Sequence, residues 1–105
     1  KINNEVPTYF SRDSNVTNSQ LSSGCVIEGH VSDSLISRRS KIEKNASVEK
    51  TMVFTDSEIR SEAKVAYAIV DKHVIIESGV KVEGTPEHPV VIPKHTVVTE
   101  DIIQK

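Results

Sequence analysis

Aliphatic residues recur along this chain in a rhythm that an amphipathic helix does not produce. They fall at Val16, Leu21 and Ile27, then Val31, Ile36 and Ile42, then Val48, Val53 and Ile59, then Val65, Val70 and Ile76, and finally Val82. From Val31 to Val82 the steps run five, six, six without a slip, so three steps make a period of 17 residues. The period from Val16 to Val31 is shorter by two. A helix would show apolar residues at i, i+3, i+4 and i+7, and that spacing is absent. A second column accompanies the first. Two residues before each aliphatic stands, with few exceptions, a small residue: Ser14, Ser19, Cys25, Gly29, Ser34, Ser40, Ala46, Thr51, Ser57, Ala63, Ala68, then Val74 and Val80. Residues i and i−2 share one face of a strand, so one face carries alternating large and small groups.

This pattern predicts a triangular prism. Each step is a short strand plus its turn, three strands close one coil, and coils stack at roughly 4.8 Å. Val31 then lies beneath Val48, Val65 and Val82. Ile36 lies beneath Val53 and Val70, and Ile42 beneath Ile59 and Ile76. A single coil buries nothing by itself, so the coils stabilise one another. Hexad repeats of this kind define an all-β fold, the left-handed parallel β-helix or hexapeptide-repeat prism, here of about four coils, with no substantial helix between residues 16 and 82. Gly24, Asn45 and Gly79 fall between strands, where Gly or Asn most easily takes a left-handed backbone. Arg39, Asp56, Glu62 and His73 occupy equivalent places. Residues 1–13, with Pro7, read as a linker or lead-in strand. Residues 14–98 read as the β-helix, interrupted at 83–89 by a loop bearing Gly84, Pro86 and Pro89. Val90–Val98 reads as strand in a last partial coil, and 99–105 as a C-terminal tail.

Composition narrows the functional classes. The chain has 105 residues, two Phe, two Tyr and no Trp, which suits a narrow aliphatic core. Fifteen acidic against thirteen basic residues give a net charge of −2, which does not favour general nucleic-acid binding. No apolar run reaches the length of a membrane span, and no signal peptide is visible. The single cysteine, Cys25, excludes an intramolecular disulfide and suits a cytoplasmic location. It falls in a small inward slot, which favours a structural thiol over a nucleophile. The four histidines, His30, His73, His88 and His95, show no metal-ligand spacing, so no metal and no cofactor is expected. No catalytic residue is assigned. The chain begins with Lys1, which suggests an excised piece of something longer or a processed product.

Three stretches carry a family resemblance. Gly24-Cys25-Val26-Ile27-Glu28-Gly29, followed by Val31 and by Ser34-Leu35-Ile36-Ser37-Arg38, resembles the C-terminal domain of bacterial glucose-1-phosphate adenylyltransferase (ADP-glucose pyrophosphorylase). Ala68-Ile69-Val70-Asp71-Lys72, continued by Val74 and Ile76, is similar to a second stretch of that family. The tail Pro89-Val90-Val91-Ile92-Pro93-Lys94, with Thr96-Val97-Val98, looks most like the GlgD-type regulatory subunit of glycogen biosynthesis. The resemblance implies a β-helix that serves subunit assembly and allosteric response. The nucleotidyltransferase chemistry would reside in an N-terminal domain, whose nucleotide loop has no match in these residues. Implied partners are that N-terminal domain, a catalytic partner subunit or further copies of the same chain, and a phosphorylated metabolite as effector. The family pattern usually has Gly at several turns that here carry Arg39, Asn45 or Glu62. The alternative is a trimeric hexapeptide-repeat acyltransferase, with His73 or His95 as general base, although no extended loop is expected to build a cleft around either.

Two surface features stand out in this register. Leu35, Met52 and Ile69 are outward neighbours of the Ile36–Val53–Val70 ladder. Phe54 lies on the same side and Tyr67 extends the strip, so these five residues form an expected domain or subunit interface. Arg38 and Lys72 share one column two coils apart, with Thr55 between them. Arg39 and His73 share the adjacent turn column, with Asp56 between them. This edge is a candidate anion site, because Arg clamps phosphate with two donors and Lys supplies a point charge. The plainer reading of each charge is a solvated turn residue. The resemblance adds that Lys72, and more loosely Lys94, match activator-binding lysines of related enzymes.

Overall fold

The computed structural model describes residues 6–105. It is built entirely from short parallel strands joined by turns, wound into a β-solenoid of about six turns, in keeping with the left-handed parallel β-helix. The coil extents are 46 × 27 × 23 Å. The count exceeds the four coils read from the repeat, because strands stack beyond both ends of the regular series. Below it, Tyr9–Phe10 pairs with Val26–Ile27. Above it, Val90–Ile92, Val97–Val98 and Ile102–Ile103 each add a strand to a different face and together make one further coil.

Each coil presents three faces. The first carries Val31 beside Val48, Val65 and Val82. The second carries Ile36 beside Val53 and Val70. The third carries Ile42 beside Ile59 and Ile76. All ten of these side chains are at most 1 % exposed. The second column is interior too, from Cys25 through Ser40, Ala46, Thr51, Ser57 and Ala63 to Val74 and Val80.

Hydroxyls can stand in this dry column because each meets a backbone partner. The Ser40 hydroxyl donates to the Phe54 carbonyl at 2.9 Å. The Ser57 hydroxyl donates to the Asp71 carbonyl at 2.6 Å and accepts from the Val74 amide at 3.1 Å. Ser34 donates to the Ser32 carbonyl at 2.7 Å and accepts from the Thr51 amide at 3.2 Å. The Cys25 thiol, also buried, faces the carbonyls of Ser37 and Ser22 at 3.1 and 3.3 Å. Among the described residues, no buried side-chain nitrogen or oxygen lacks a partner.

The three corners differ. Between the first and second faces the chain bends at a single left-handed residue, successively Asn18, Asp33, Lys50 and Tyr67. Ser47–Val53 and Lys64–Val70 therefore run through this corner as unbroken strands. In the upper coil, Gly84–Pro89 replaces that one residue, since Ala66 pairs with Glu83 while Ala68 pairs with Val90. Gly84 is required where this loop leaves: a Cβ there would collide with the Tyr67 carbonyl oxygen and the Val90 amide. At the corner between the third and first faces, turns with positive φ at Asn45, Glu62 and Gly79 are the rule. The short first period cuts this corner at Gly29, whose Cβ position is filled by the carbonyl oxygens of Ala46 and Glu43. The remaining corner, between the second and third faces, carries the candidate site.

Candidate anion-binding edge

Four successive turns build this edge: residues 37–40, 54–57, 71–74 and 93–96. In each, the third residue has positive φ: Arg39 at 57°, Asp56 at 61°, His73 at 55° and His95 at 64°. Each amide of that residue donates to the turn below. Asp56 donates to the Arg38 carbonyl at 3.0 Å, His73 to Thr55 at 3.1 Å and His95 to Lys72 at 3.0 Å. The result is two adjacent vertical columns, with successive members of each about one coil spacing apart along the prism. One runs Arg38, Thr55, Lys72, Lys94. The other runs Arg39, Asp56, His73, His95.

The lower half of the edge is electrostatically closed on itself. Arg39 grips Asp56 with two parallel bonds, Nε to Oδ1 at 2.8 Å and Nη2 to Oδ2 at 3.0 Å. That hydrogen bonding holds the Asp56 carboxyl below its ordinary range against the opposing effect of burial, with lesser Coulombic help from Arg39 and His73. His73 Nε2 stands 4.0 Å from Asp56 Oδ2. In the upper half, the His73 and His95 rings stack with centroids 5.1 Å apart and planes within 4° of parallel. The Asp71 carboxylate accepts from the Lys72 amide at 2.7 Å. Asp71, Lys72, His73, Pro93, Lys94 and His95 line an open cleft.

All five residues singled out for anion binding thus lie on one edge, but not equivalently. Lys72 and Lys94 are neighbours in one column, and His73 stands beside Lys72. Arg38 lies two coils below Lys72, and Arg39 is engaged by Asp56. The residue that sequence reasoning left out of this group is His95. Its turn repeats that of His73, but the Gly84–Pro89 loop stretches the step from Val70 to its partner Ile92 to 22 residues and hides the equivalence.

The apolar strip lies on the adjoining second face. Leu35, Met52 and Ile69 stack in register, and Val91, unnoticed in the sequence, continues the column upward. Met52 is 40 % and Val91 62 % exposed, whereas Leu35 and Ile69 are half-buried. Phe54 flanks the strip at the turn and Tyr67 at the bend, both half-buried. No three His, Cys, Asp or Glu side chains among the described residues converge in a metal-binding group. No helix among those residues is long and apolar enough to cross a membrane.

Fold and repeat together define a hexapeptide-type β-helix domain. Residues 5–104 match the family described as GlmU-like, C-terminal hexapeptide, and the chain belongs to that family. It is 37 % identical over 102 residues, 97 % of its length, to the glycogen biosynthesis protein GlgD of Geobacillus stearothermophilus, of which it covers 30 %. Against GlgD of Bacillus subtilis (strain 168) the identity is 30 % over 100 residues, 95 % of this chain and 29 % of that protein. A glucose-1-phosphate adenylyltransferase of Bacillus thuringiensis (strain Al Hakam) is 32 % identical over 76 residues, 72 % of this chain and 20 % of the enzyme. The chain therefore spans under a third of the length of the relatives it matches.

Proposed function

We propose that this chain is the β-helix domain of a GlgD-like subunit of glucose-1-phosphate adenylyltransferase, acting in cytoplasmic glycogen biosynthesis through assembly and allosteric control rather than catalysis. The observation that carries this reading is the similarity to two GlgD proteins over almost the entire chain. In this role Lys72, Lys94 and His73, with Arg38 and Arg39 lower on the edge, receive the phosphate of a phosphorylated metabolite. Lys72 and Lys94 stand on successive turns about one coil spacing apart, so both side chains can reach one phosphate. Leu35, Met52 and Ile69, flanked by Phe54 and Tyr67, dock the nucleotidyltransferase domain or a catalytic partner subunit. Burial of that strip against a second body would remove apolar surface from water.

The test belongs in the assembled, full-length enzyme. Lys72→Ala with Lys94→Ala is expected to weaken activation by phosphorylated effectors about tenfold or more, as loss of charge-assisted bonds to phosphate implies. Basal nucleotidyl transfer is the internal control for assembly. Unchanged half-saturation for sugar phosphates and inorganic phosphate alike would remove this edge as the effector site.

A further inference from the structure

The stacked histidines add something that a lysine–arginine anion site lacks. Lys and Arg keep their charge throughout the neutral range, whereas an imidazole gains or loses one there. His73 and His95 stand ring on ring at the top of the turn column, beside the Lys72–Lys94 column. We infer that this edge is a proton-coupled site for tetrahedral dianions, in which the His73–His95 pair takes up protons as a phosphate-like group settles on Lys72 and Lys94. The inference rests on the proposed reading of the edge as an anion site and specifies how that site responds to pH.

The charges facing the pair come from all four turns. Arg38 and Arg39 lie below, and Arg39 is neutralised by the two bonds it makes to Asp56. Asp56 Oδ2 stands 4.0 Å from His73 Nε2. Asp71 is folded onto its own turn at the Lys72 amide, so its charge is partly spent locally. Lys72 and Lys94 are exposed and of like sign to a protonated imidazole. Two charged rings in a parallel stack, next to two ammonium groups, repel one another, and Asp56 cannot compensate both. A dianion on the lysine column reverses that balance by attracting every one of these charges. Because binding and protonation then favour each other, affinity must rise as protons become available. The sign is fixed: the added affinity is present at acid pH and is lost as the pH rises through the range where imidazoles titrate.

Sulfate is the suitable probe, because it remains a dianion across this range and any pH dependence belongs to the protein. Calorimetric titration of the chain with sulfate at constant ionic strength is expected to show affinity rising about five- to tenfold from about pH 8 to about pH 6. Repeating the titration in buffers of different ionisation enthalpy should register net proton uptake on binding. His95→Asn, which keeps a residue tolerant of the left-handed turn, should reduce the slope, and the His73→Asn, His95→Asn double variant should flatten it. Lys72→Ala should weaken binding at every pH. Sulfate affinity independent of pH, with no proton uptake, would overturn the coupling while leaving the anion site standing. Absence of sulfate binding at any pH would overturn both.

Discussion

Among the described residues, ten that are not glycine hold positive φ, against two glycines, Gly24 and Gly79. A left-handed conformation costs an ordinary L-residue about 1–2 kcal/mol, so the turns of this prism are conformationally strained at many points. The three positions Asn45, Glu62 and Gly79 occupy one corner column and differ only in how well they suit it. Glu62 is exposed and has φ of 65°. Replacing it with Gly relieves the strain but frees the unfolded chain, and the balance is expected to raise stability by up to about 1 kcal/mol. Gly29→Ala acts in the opposite direction, since backbone carbonyls of Ala46 and Glu43 occupy the Cβ position. Overpacking against backbone should cost about 2–3 kcal/mol. Thermal melts of the two variants beside the parent would check both signs, and a neutral Gly29→Ala would mean that the first coil can widen.

At the scale of a corner, some equivalent positions of opposite sign form ladders of charge. Arg39–Asp56 is one, and Asp33 is another: it takes a hydrogen bond from the Asn18 amide below and an ion pair from Lys50 above at 3.5 Å. Both carboxyls are held below their ordinary range, Asp33 chiefly by the Asn18 hydrogen bond and Asp56 chiefly by that from Arg39. A carboxyl lowered in the folded state stabilises above its unfolded pKa and loses that contribution as pH falls through the lowered value. The modest contribution of these two carboxyls should accordingly be lost below about pH 4. Asp56→Asn is expected to lose under about 1 kcal/mol at neutral pH, because the pair is partly exposed. The deficit should vanish at low pH, where parent and variant converge. A constant difference across a pH series of urea titrations would contradict the assignment to this charge. The Arg39–Asp56–His73 column was legible in the sequence because the 17-residue period runs unbroken through it. His95 was not, because the inserted loop changes the count without changing the register. The single-residue bends at Asn18, Asp33, Lys50 and Tyr67 were also hidden, since a left-handed residue within a continuous strand leaves no break in the hydrophobic rhythm.

For the whole molecule, the inward ladders could be read directly because a prism core leaves one spatial solution for a five, six, six spacing. The ends could not, because terminal coils lack a neighbour on one side and need not repeat the pattern: Phe10 takes the inward place of Ile27 yet is 49 % exposed. Outward positions obey no periodic constraint at all, so an apolar column among them calls for a separate cause. On the third face the outward column is interrupted at its centre by Lys41 and Glu58, with Tyr9 and Val26 below them and Ile75 and Val97 above. On the first it holds His30, Ser47, Lys64 and Lys81. Only on the second does it run Leu35, Met52, Ile69 and Val91, four apolar side chains in direct succession. If that strip is a docking surface, the chain without its partner should associate through it at high concentration. Met52→Ser with Val91→Ser alters two exposed side chains and leaves the buried ladders intact, so the fold should persist in circular dichroism. Removing this much apolar contact should weaken association about tenfold or more, on the scale of 1–2 kcal/mol for partly buried aliphatic groups. Sedimentation over a concentration series would read the change directly. Association that is unaltered in the double variant would place the contact elsewhere, the lower end at Phe10, Val16 and Leu21 being the next surface to probe.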